Sequence, residues 1–426
     1  MTEIESVDFF TDQSLIADPY PYFDALRAKC PVLHTDAYGV VAVTGHEEAA
    51  AVYKDPDTFS SAISVGGPFP PLPFTPEGDD ISDLLAQHRD SMPMSEHMIT
   101  MDPPQHQYAR SLLTRLITPR RLKENEQFVW RLADEQLDEF IDRGRSEFLE
   151  DYAKPFSLLV IADLLGVPEE DHDEFRLVLG GKPRPGARVG SLEKEALDHN
   201  PLQWLDDKFS TYLEERRAHP REDVLTGLAT ANYPDGSVPP IPEVVRSATF
   251  LFAAGQETTT KLLTAAVRVL AENPDIVEQL DADRSLIGDF VEEMLRMESP
   301  VKSDFRLVRK STTLGGVDIA AGTTLMVCPG AVNRDPRRFD NPHQVRVDRD
   351  NVRDHIAFGR GPHTCPGGPL ARVEGRVTIE RLLDRLRNLR IDEDKHGPAD
   401  ARTYGYEPTY ILRGMTDLHI VFDKAD

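Results

Sequence analysis

The chain has 426 residues, 40% of them hydrophobic, and carries 73 acidic against 48 basic side chains for a formal charge of −25. That length and apolar share support a large core in a single domain, 1–426, and the acidic balance excludes nucleic acid and anionic lipid as partners, since both need a basic surface. No charged, apolar leader opens the sequence, no apolar run reaches the ~18 residues of a membrane span, and Cys30, Cys328 and Cys365 are too few for a disulfide framework, so a soluble, cytoplasmic protein is expected.

In chain order, Pro21 to Ala28 reads as a helix, and Tyr38 to Thr44, entered through Asp36, as a hairpin strand. An irregular stretch follows from Gly66 to Pro104, with prolines at 68, 70, 71, 73 and 76 and methionines at 92, 94, 98 and 101. Loops this long are usually functional or disordered, and adaptable Met side chains suit an apolar ligand. Met101-Asp-Pro-Pro-Gln-His106 leads into a helix on which His106 and Arg110, four apart, share a face and can hold a carboxylate. Helical spacing runs from Leu122 to Leu179, interrupted at Gly166-Val-Pro168, until the Gly/Pro segment Gly180 to Gly190 breaks it. That segment reads as the hinge of a lid.

Between Pro242 and Asn273-Pro274 about thirty residues lack an internal proline, a helix of roughly 45 Å at 1.5 Å per residue. Its apolar first half gives way to Gly255-Gln-Glu257-Thr258-Thr-Thr-Lys261. Glycine there costs about 1 kcal/mol relative to alanine, and Thr hydroxyls compete for backbone carbonyls, so the composition predicts a local widening of the helix. A plainer arrangement is also open, with Thr258 bonded back within the helix and Glu257 paired to Lys261. Glu293-Met-Leu-Arg296 follows on a helix whose buried face is Ile287, Phe290, Val291, Met294 and Leu295. Pro300 ends it, and an extended strand runs through Arg306.

The densest signal is His355-Ile-Ala-Phe358-Gly359-Arg-Gly361-Pro-His363-Thr-Cys365-Pro-Gly367, a glycine-rich loop that presents one sulfur and enters a helix marked by Leu370, Val373, Val377, Ile379, Leu382, Leu383 and Leu386. A lone cysteine is ordinarily a small buried hydrophobe. Here Gly359, Gly361 and Gly367 let the backbone approach a flat ligand, and the helix N-terminus favours an anionic sulfur. The arrangement suits a thiolate bound to a metal.

The pattern Phe358-Gly359-x-Gly361-x-His363-x-Cys365-x-Gly367 resembles the haem-ligand motif of the cytochrome P450 family. Four more motifs stand in that family's order: His106/Arg110, Ala254 to Thr258, Glu293/Arg296, and Asn333 to Phe339. The resemblance implies a mainly α fold with small β-sheets (α+β), holding haem b (iron protoporphyrin IX) between the long helix and the Cys365 loop. It makes Cys365 the axial ligand of the iron, with Phe358, Gly359, Gly367, Ala254 and Gly255 against the cofactor. It assigns His106, Arg110, Arg306 and His363 to the propionates, Glu257 and Thr258 to proton delivery, with Glu where many members carry Asp, and Glu293, Arg296 and Arg334 to a buried structural network.

The substrate pocket would be lined by Phe250, Ala254, Thr258, Val301, Lys302, Ser303 and Ile411, beneath the loops 65–104 and 180–200. Ile411 would come from an inserted hairpin, Tyr410 to Met415. Lys302 is unusual beside an apolar guest. The implied activity is that of a monomeric monooxygenase inserting one atom of O2 into an apolar small molecule of terpenoid, steroid, aromatic or fatty acyl type. Electrons would come from NAD(P)H through a ferredoxin reductase and a ferredoxin docked at the proximal face, where Arg115, Arg120, Arg121, Lys123, Arg360 and Arg372 supply basic charge. A peroxide-driven peroxygenase and a non-catalytic haem sensor or carrier are the alternatives. Neither requires the Glu257/Thr258 pair.

Overall fold

The computed structural model describes residues 4–114, 116–179 and 202–425; Arg115 and the expected hinge segment 180–200 lie outside them. Helices dominate, and their organising member is Ile241–Glu272, 32 residues long, which opens with a proline in its first turn and ends at Asn273. At 1.5 Å per residue it spans about 48 Å. It packs against the helices Lys154–Leu165, Gln203–Ala218, Gly368–Arg385 and Ile287–Glu298. From Thr259 to Ala271 every residue but Arg268 is buried, as a helix with neighbours on all sides requires.

The β structure lies beside this helical body. A five-stranded sheet has the order β1 (Val32–His34), β2 (Val41–Val43), β8 (Thr324–Val327), β5 (Asp304–Val308), β3 (Phe59–Ser60). Strands β2 and β8 are parallel, and β8 and β5 antiparallel with Arg306 opposite Leu325. A three-stranded sheet runs β4 (Arg145–Glu147), β10 (His419–Lys424), β9 (Leu386–Ile391), and β6 (Thr312–Leu314) pairs with β7 (Val317–Ile319). An aromatic cluster including Phe9, Phe10, Tyr22, Phe23, Phe305 and Tyr410 packs against the first sheet. Because strand side chains alternate, Phe305 and Leu307 enter that cluster while Arg306 between them turns to the other side.

Pro21 to Ala28 falls within the helix Tyr20–Lys29, and the expected hairpin strand is β2, joined to β1 through a turn in which Tyr38 takes φ 56°. Three expectations change. The helical run 122–179 contains β4, entered through Gly144 at φ 64° and paired with β10; a strand of three residues held by a distant partner leaves no period to read. The stretch 66–104 contains a helix, Ser82–His88, and is tied to the C-terminal hairpin by Tyr410, whose hydroxyl donates to the Gly66 carbonyl at 2.9 Å. The widening at Gly255 is absent: the helix is regular throughout, and a Cβ on Gly255 would sit 3.4 Å from Ile161 Cδ1. That is ordinary van der Waals contact, so the glycine neither breaks the helix nor is required by its neighbour. Among the described residues no helix is long and apolar enough to cross a membrane.

Candidate functional site

The Cys365 loop is held from three directions. Cys365 N–H donates to Phe358 O (2.8 Å) and Gly359 N–H to Ile356 O (2.9 Å), which curls the chain before the helix Gly368–Arg385 begins. Asn333 fixes the loop's entry: its Oδ1 accepts from Ile356 N–H (2.8 Å), and its Nδ2 donates to Ser299 Oγ at the end of the helix Ile287–Glu298 (2.9 Å). Gly361, at φ 70°, presses on the Tyr53 carbonyl, where a Cβ would lie only 2.2 Å away. That glycine therefore serves close packing on the helix His46–Lys54, a correction to its expected contact with a ligand. Burial pushes the Cys365 thiol up, while the Gly367 and Gly368 N–H groups and the Arg110 and Arg372 charges pull it back.

Four cationic or donor side chains from distant parts of the sequence gather by this loop. The rings of His106 and His363 lie 3.9 Å apart. Burial, then the Arg110 charge, holds His106 down at about 4; burial, then the charges of His106 and Arg306, holds His363 at about 3. Both ring nitrogens of His106 and Nε2 of His363 are buried without partners. Of the four, only Arg306 has a carboxylate within reach among the described residues, Asp304 at 3.3 Å. Each buried orphan costs about 1–3 kcal/mol, and a ligand with two carboxylates would remove that cost with charge-assisted hydrogen bonds. These residues fit the propionate end of a haem.

The long helix Ile241–Glu272 carries the next group of expected residues. Ala254 and Glu257 are exposed and Ala253, Gly255, Gln256 and Thr258 half-buried, so the structure leaves one face of that turn uncovered. Thr258 Oγ1 donates to Ala254 O at 2.8 Å, and Glu257 pairs with Lys261 at 3.2 Å. This is the plainer of the two arrangements the sequence allows. Lys261 also binds Glu407 of the C-terminal segment at 2.6 Å.

The expected pocket residues divide. Phe250 is half-buried with its ring 6.2 Å from His97, and Val301 bridges to Leu412. The Ile411 carbonyl accepts from Lys302 N–H at 2.8 Å, which sets the hairpin beside this strand. Two pocket assignments are corrected. Lys302 is 2% exposed and turns its ammonium to the Phe9 ring, 5.9 Å away, because alternation along the extended chain sends it to the aromatic cluster. Ser303 is fully buried, and its hydroxyl donates to Tyr410 O at 2.6 Å, stapling the hairpin to the strand.

The buried charge network is also corrected. Glu293 accepts from Arg296 Nε (2.7 Å) and Nη2 (2.8 Å), but its third partner is Arg349, with Nε 3.2 Å away. Arg334 instead caps the helix end, donating to Met297 O (2.7 Å) over the ring of Tyr20. Sequence reasoning missed Arg349 and also Glu292, whose carboxylate binds His355 (2.8 Å), Arg372 and Arg353. Burial alone would raise Glu292; hydrogen bonds from His355 and Arg372 outweigh it and hold it at about 2. Arg372 lies over Phe358, its Cζ 4.7 Å from the ring centroid, so Glu292 braces the Cys365 loop from behind. Nothing in the sequence spacing pairs Glu292 with residues 61 to 80 positions away.

A protein-family model described as Cytochrome P450 matches residues 202–405. The chain is 33% identical over 390 residues to cytochrome P450 144 of Mycobacterium tuberculosis, spanning 90% of this chain and 86% of that protein. It is 31% identical over 414 residues to cytochrome P450 monooxygenase PikC of Streptomyces venezuelae, spanning 96% and 92%. Among solved structures, the substrate-free form of Mycobacterium marinum cytochrome P450 CYP150A6 is 65% identical and aligns with a TM-score of 0.93 over 99% of this chain and 100% of that one.

Proposed function

Since the chain belongs to the cytochrome P450 family and is a haem-b monooxygenase of it, we propose that its substrate is an apolar small molecule, oxidised on the uncovered face of the long helix, and that a ferredoxin supplies its electrons. Bound haem supplies the iron centre at which O2 is cleaved and one oxygen atom is inserted. Cys365 supplies the thiolate, held by the loop's own backbone. His106, Arg110, Arg306 and His363 take the propionates and fix the cofactor's orientation. Phe358, Gly359, Gly367, Ala254 and Gly255 border it.

The observation that carries this reading is the trio of orphaned nitrogens on His106 and His363, the latter two residues from Cys365. On the uncovered turn of the long helix Thr258 donates its hydroxyl to Ala254 O and Glu257 pairs with Lys261; to deliver protons both side chains would leave these partners, the carboxylate taking the proton from water and the hydroxyl passing it on. Phe250 and the half-buried Val301 and Ile411 give the guest an apolar wall, on which terpenoid, steroid, aromatic or fatty acyl bodies are favoured by burial alone. Docking of an acidic ferredoxin is assigned to Arg120, Arg121, Lys123, Arg360 and Arg372, of which Arg120, Arg121 and Arg372 are paired with Glu124, Asp163 and Glu292 in the free protein.

The test is a reduced carbon-monoxide spectrum of the purified protein, followed by turnover with a ferredoxin, its reductase and NADH, and in parallel with peroxide. A thiolate-type spectrum that Cys365→His abolishes, with ferredoxin-driven product and NADH consumed without product in Thr258→Ala, is expected. Product formed from peroxide alone, unchanged in Thr258→Ala, would replace this reading with a peroxygenase.

A further inference from the structure

The uncovered face of the long helix extends beyond the turn at Ala254. Between Glu243 and Thr258 the residues that are not buried are Glu243, Arg246, Phe250, Ala253 to Glu257 and Thr258; Val244, Val245, Ser247, Ala248, Thr249, Leu251 and Phe252 are buried. Steps of four residues connect Arg246 to Phe250 and Phe250 to Ala254, so these three lie on one stripe. Its N-terminal part borders a narrow cleft walled by Glu96, Met98, Met101, Leu112, Tyr233, Glu243 and Phe250. These walls are mostly apolar.

Arg246 is the cation in that cleft. Its Nη1 lies 3.3 Å from Glu96 Oε2, and its Nε is buried with no acceptor. The Glu96 side chain is 69% exposed, and a pair of that exposure contributes little. Glu243, the other acid at the cleft, already accepts from the Tyr233 hydroxyl. The cleft therefore holds one guanidinium with an unfilled donor and a partner that water can readily take over. We propose that Arg246 anchors a carboxylate at the far end of the substrate, so that the preferred guests are acids with a long apolar body. This rests on the monooxygenase reading above.

The planar fork of a guanidinium suits a carboxylate bidentately, which a lysine cannot reproduce. Eight residues separate Arg246 from Ala254, a rise of about 12 Å. An acid anchored at Arg246 thus lies along the stripe with its oxidised carbon remote from its carboxylate. Met98, Met101 and Phe250 line the cleft beside Arg246.

Optical and calorimetric titration of the haem-loaded protein with dodecanoic acid, methyl dodecanoate and dodecylamine tests this. The wild type is expected to bind the acid about tenfold or more tightly than the ester or the amine. Arg246→Leu should weaken the acid about ten- to hundredfold and leave the ester within about twofold, while Arg246→Lys should recover part of the loss. Equal losses for acid and ester in Arg246→Leu, a wild-type preference for ester or amine, or no binding of the acid would overturn the anchor. The carbon-monoxide spectrum of the same samples keeps the two readings apart: a normal thiolate-type spectrum with no acid preference removes the anchor alone. Calorimetry reads the acid preference even if that spectrum is absent.

Discussion

Glu293→Gln tests the buried network where its membership departs from expectation. The carboxylate accepts from Arg296 Nε (2.7 Å) and Nη2 (2.8 Å), from Arg346 N–H (2.9 Å) and from Arg349 Nε (3.2 Å). The side chains of Glu293, Arg296 and Arg349 are 0%, 0% and 1% exposed. An isosteric neutral replacement leaves Arg296 buried without a counter-charge and Arg349 with only the Asp340 carboxylate, 3.2 Å away, and breaking a buried pair costs about 3–5 kcal/mol. Both arginines keep backbone acceptors, Asn333 O and Pro342 O for Arg296, Asp340 O and Gln344 O for Arg349, which places the loss near the lower end. With about 2.1 cal/mol/K of unfolding entropy per residue, 426 residues give about 0.9 kcal/mol/K, so the apparent melting temperature should fall by about 3–6 °C. Melting of samples matched for haem content gives that number. A cycle of Glu293→Gln with Arg349→Met should show a coupling of at least about 1 kcal/mol, and the same cycle with Arg334→Met should be additive to about 0.5 kcal/mol. Strong coupling to Arg334 with none to Arg349 would refute the assignment.

Gly361→Ala should displace the Cys365 loop, since the new Cβ meets the Tyr53 carbonyl at φ 70°; a loss above about 1 kcal/mol and reduced haem retention are expected from melting and from the haem-to-protein absorbance ratio. His106→Leu removes two orphaned nitrogens, so the haem-free protein should melt higher by the equivalent of about 1 kcal/mol while haem dissociates faster, as transfer to apomyoglobin would report. Glu292 is held at about 2 against an ordinary 4.5. A depressed carboxylate stabilises above its unfolded value, so a contribution of about 3 kcal/mol is complete above about pH 4.5 and disappears as pH falls toward 2; Glu292→Gln should flatten the dependence of stability on pH in that window.

The legible parts of this molecule were those whose physics is local. The Cys365 loop could be read because its glycines, its sulfur and the helix behind it are consecutive, and the long helix because nothing between Pro242 and Pro274 interrupts it. His106 and Arg110 were legible as one face of one helix; their meeting with His363 and Arg306 was not, since only the fold brings β5, the Cys365 loop and that helix together. Arg349 was invisible for the same reason. Arg334, Arg337, Arg338, Arg346, Arg349 and Arg353 offer Glu293 equally plausible partners by sequence, and only the path of residues 340–349 back under the helix Ile287–Glu298 selects among them.

Lys302 shows the opposite failure, in which a motif position was right and a side-chain direction wrong. Val301, Lys302 and Ser303 precede β5, and alternation sends neighbouring side chains to opposite sides. Lys302 faces Gly330, where a Cβ would approach its own at 3.4 Å, and its ammonium ends at Phe9. Burial draws it down to about 7, and no carboxylate pairs with it among the described residues. A lysine so placed leaves the pocket apolar on the Val301 side, which moves the question of charge recognition along the long helix to Arg246. Replacing Lys302 by methionine should therefore leave the affinity for dodecanoic acid within about twofold, whereas Arg246→Leu should not. A Lys302→Met loss as large as that of Arg246→Leu would mean the ammonium reaches the guest after all, and the direction assigned to this side chain would be wrong.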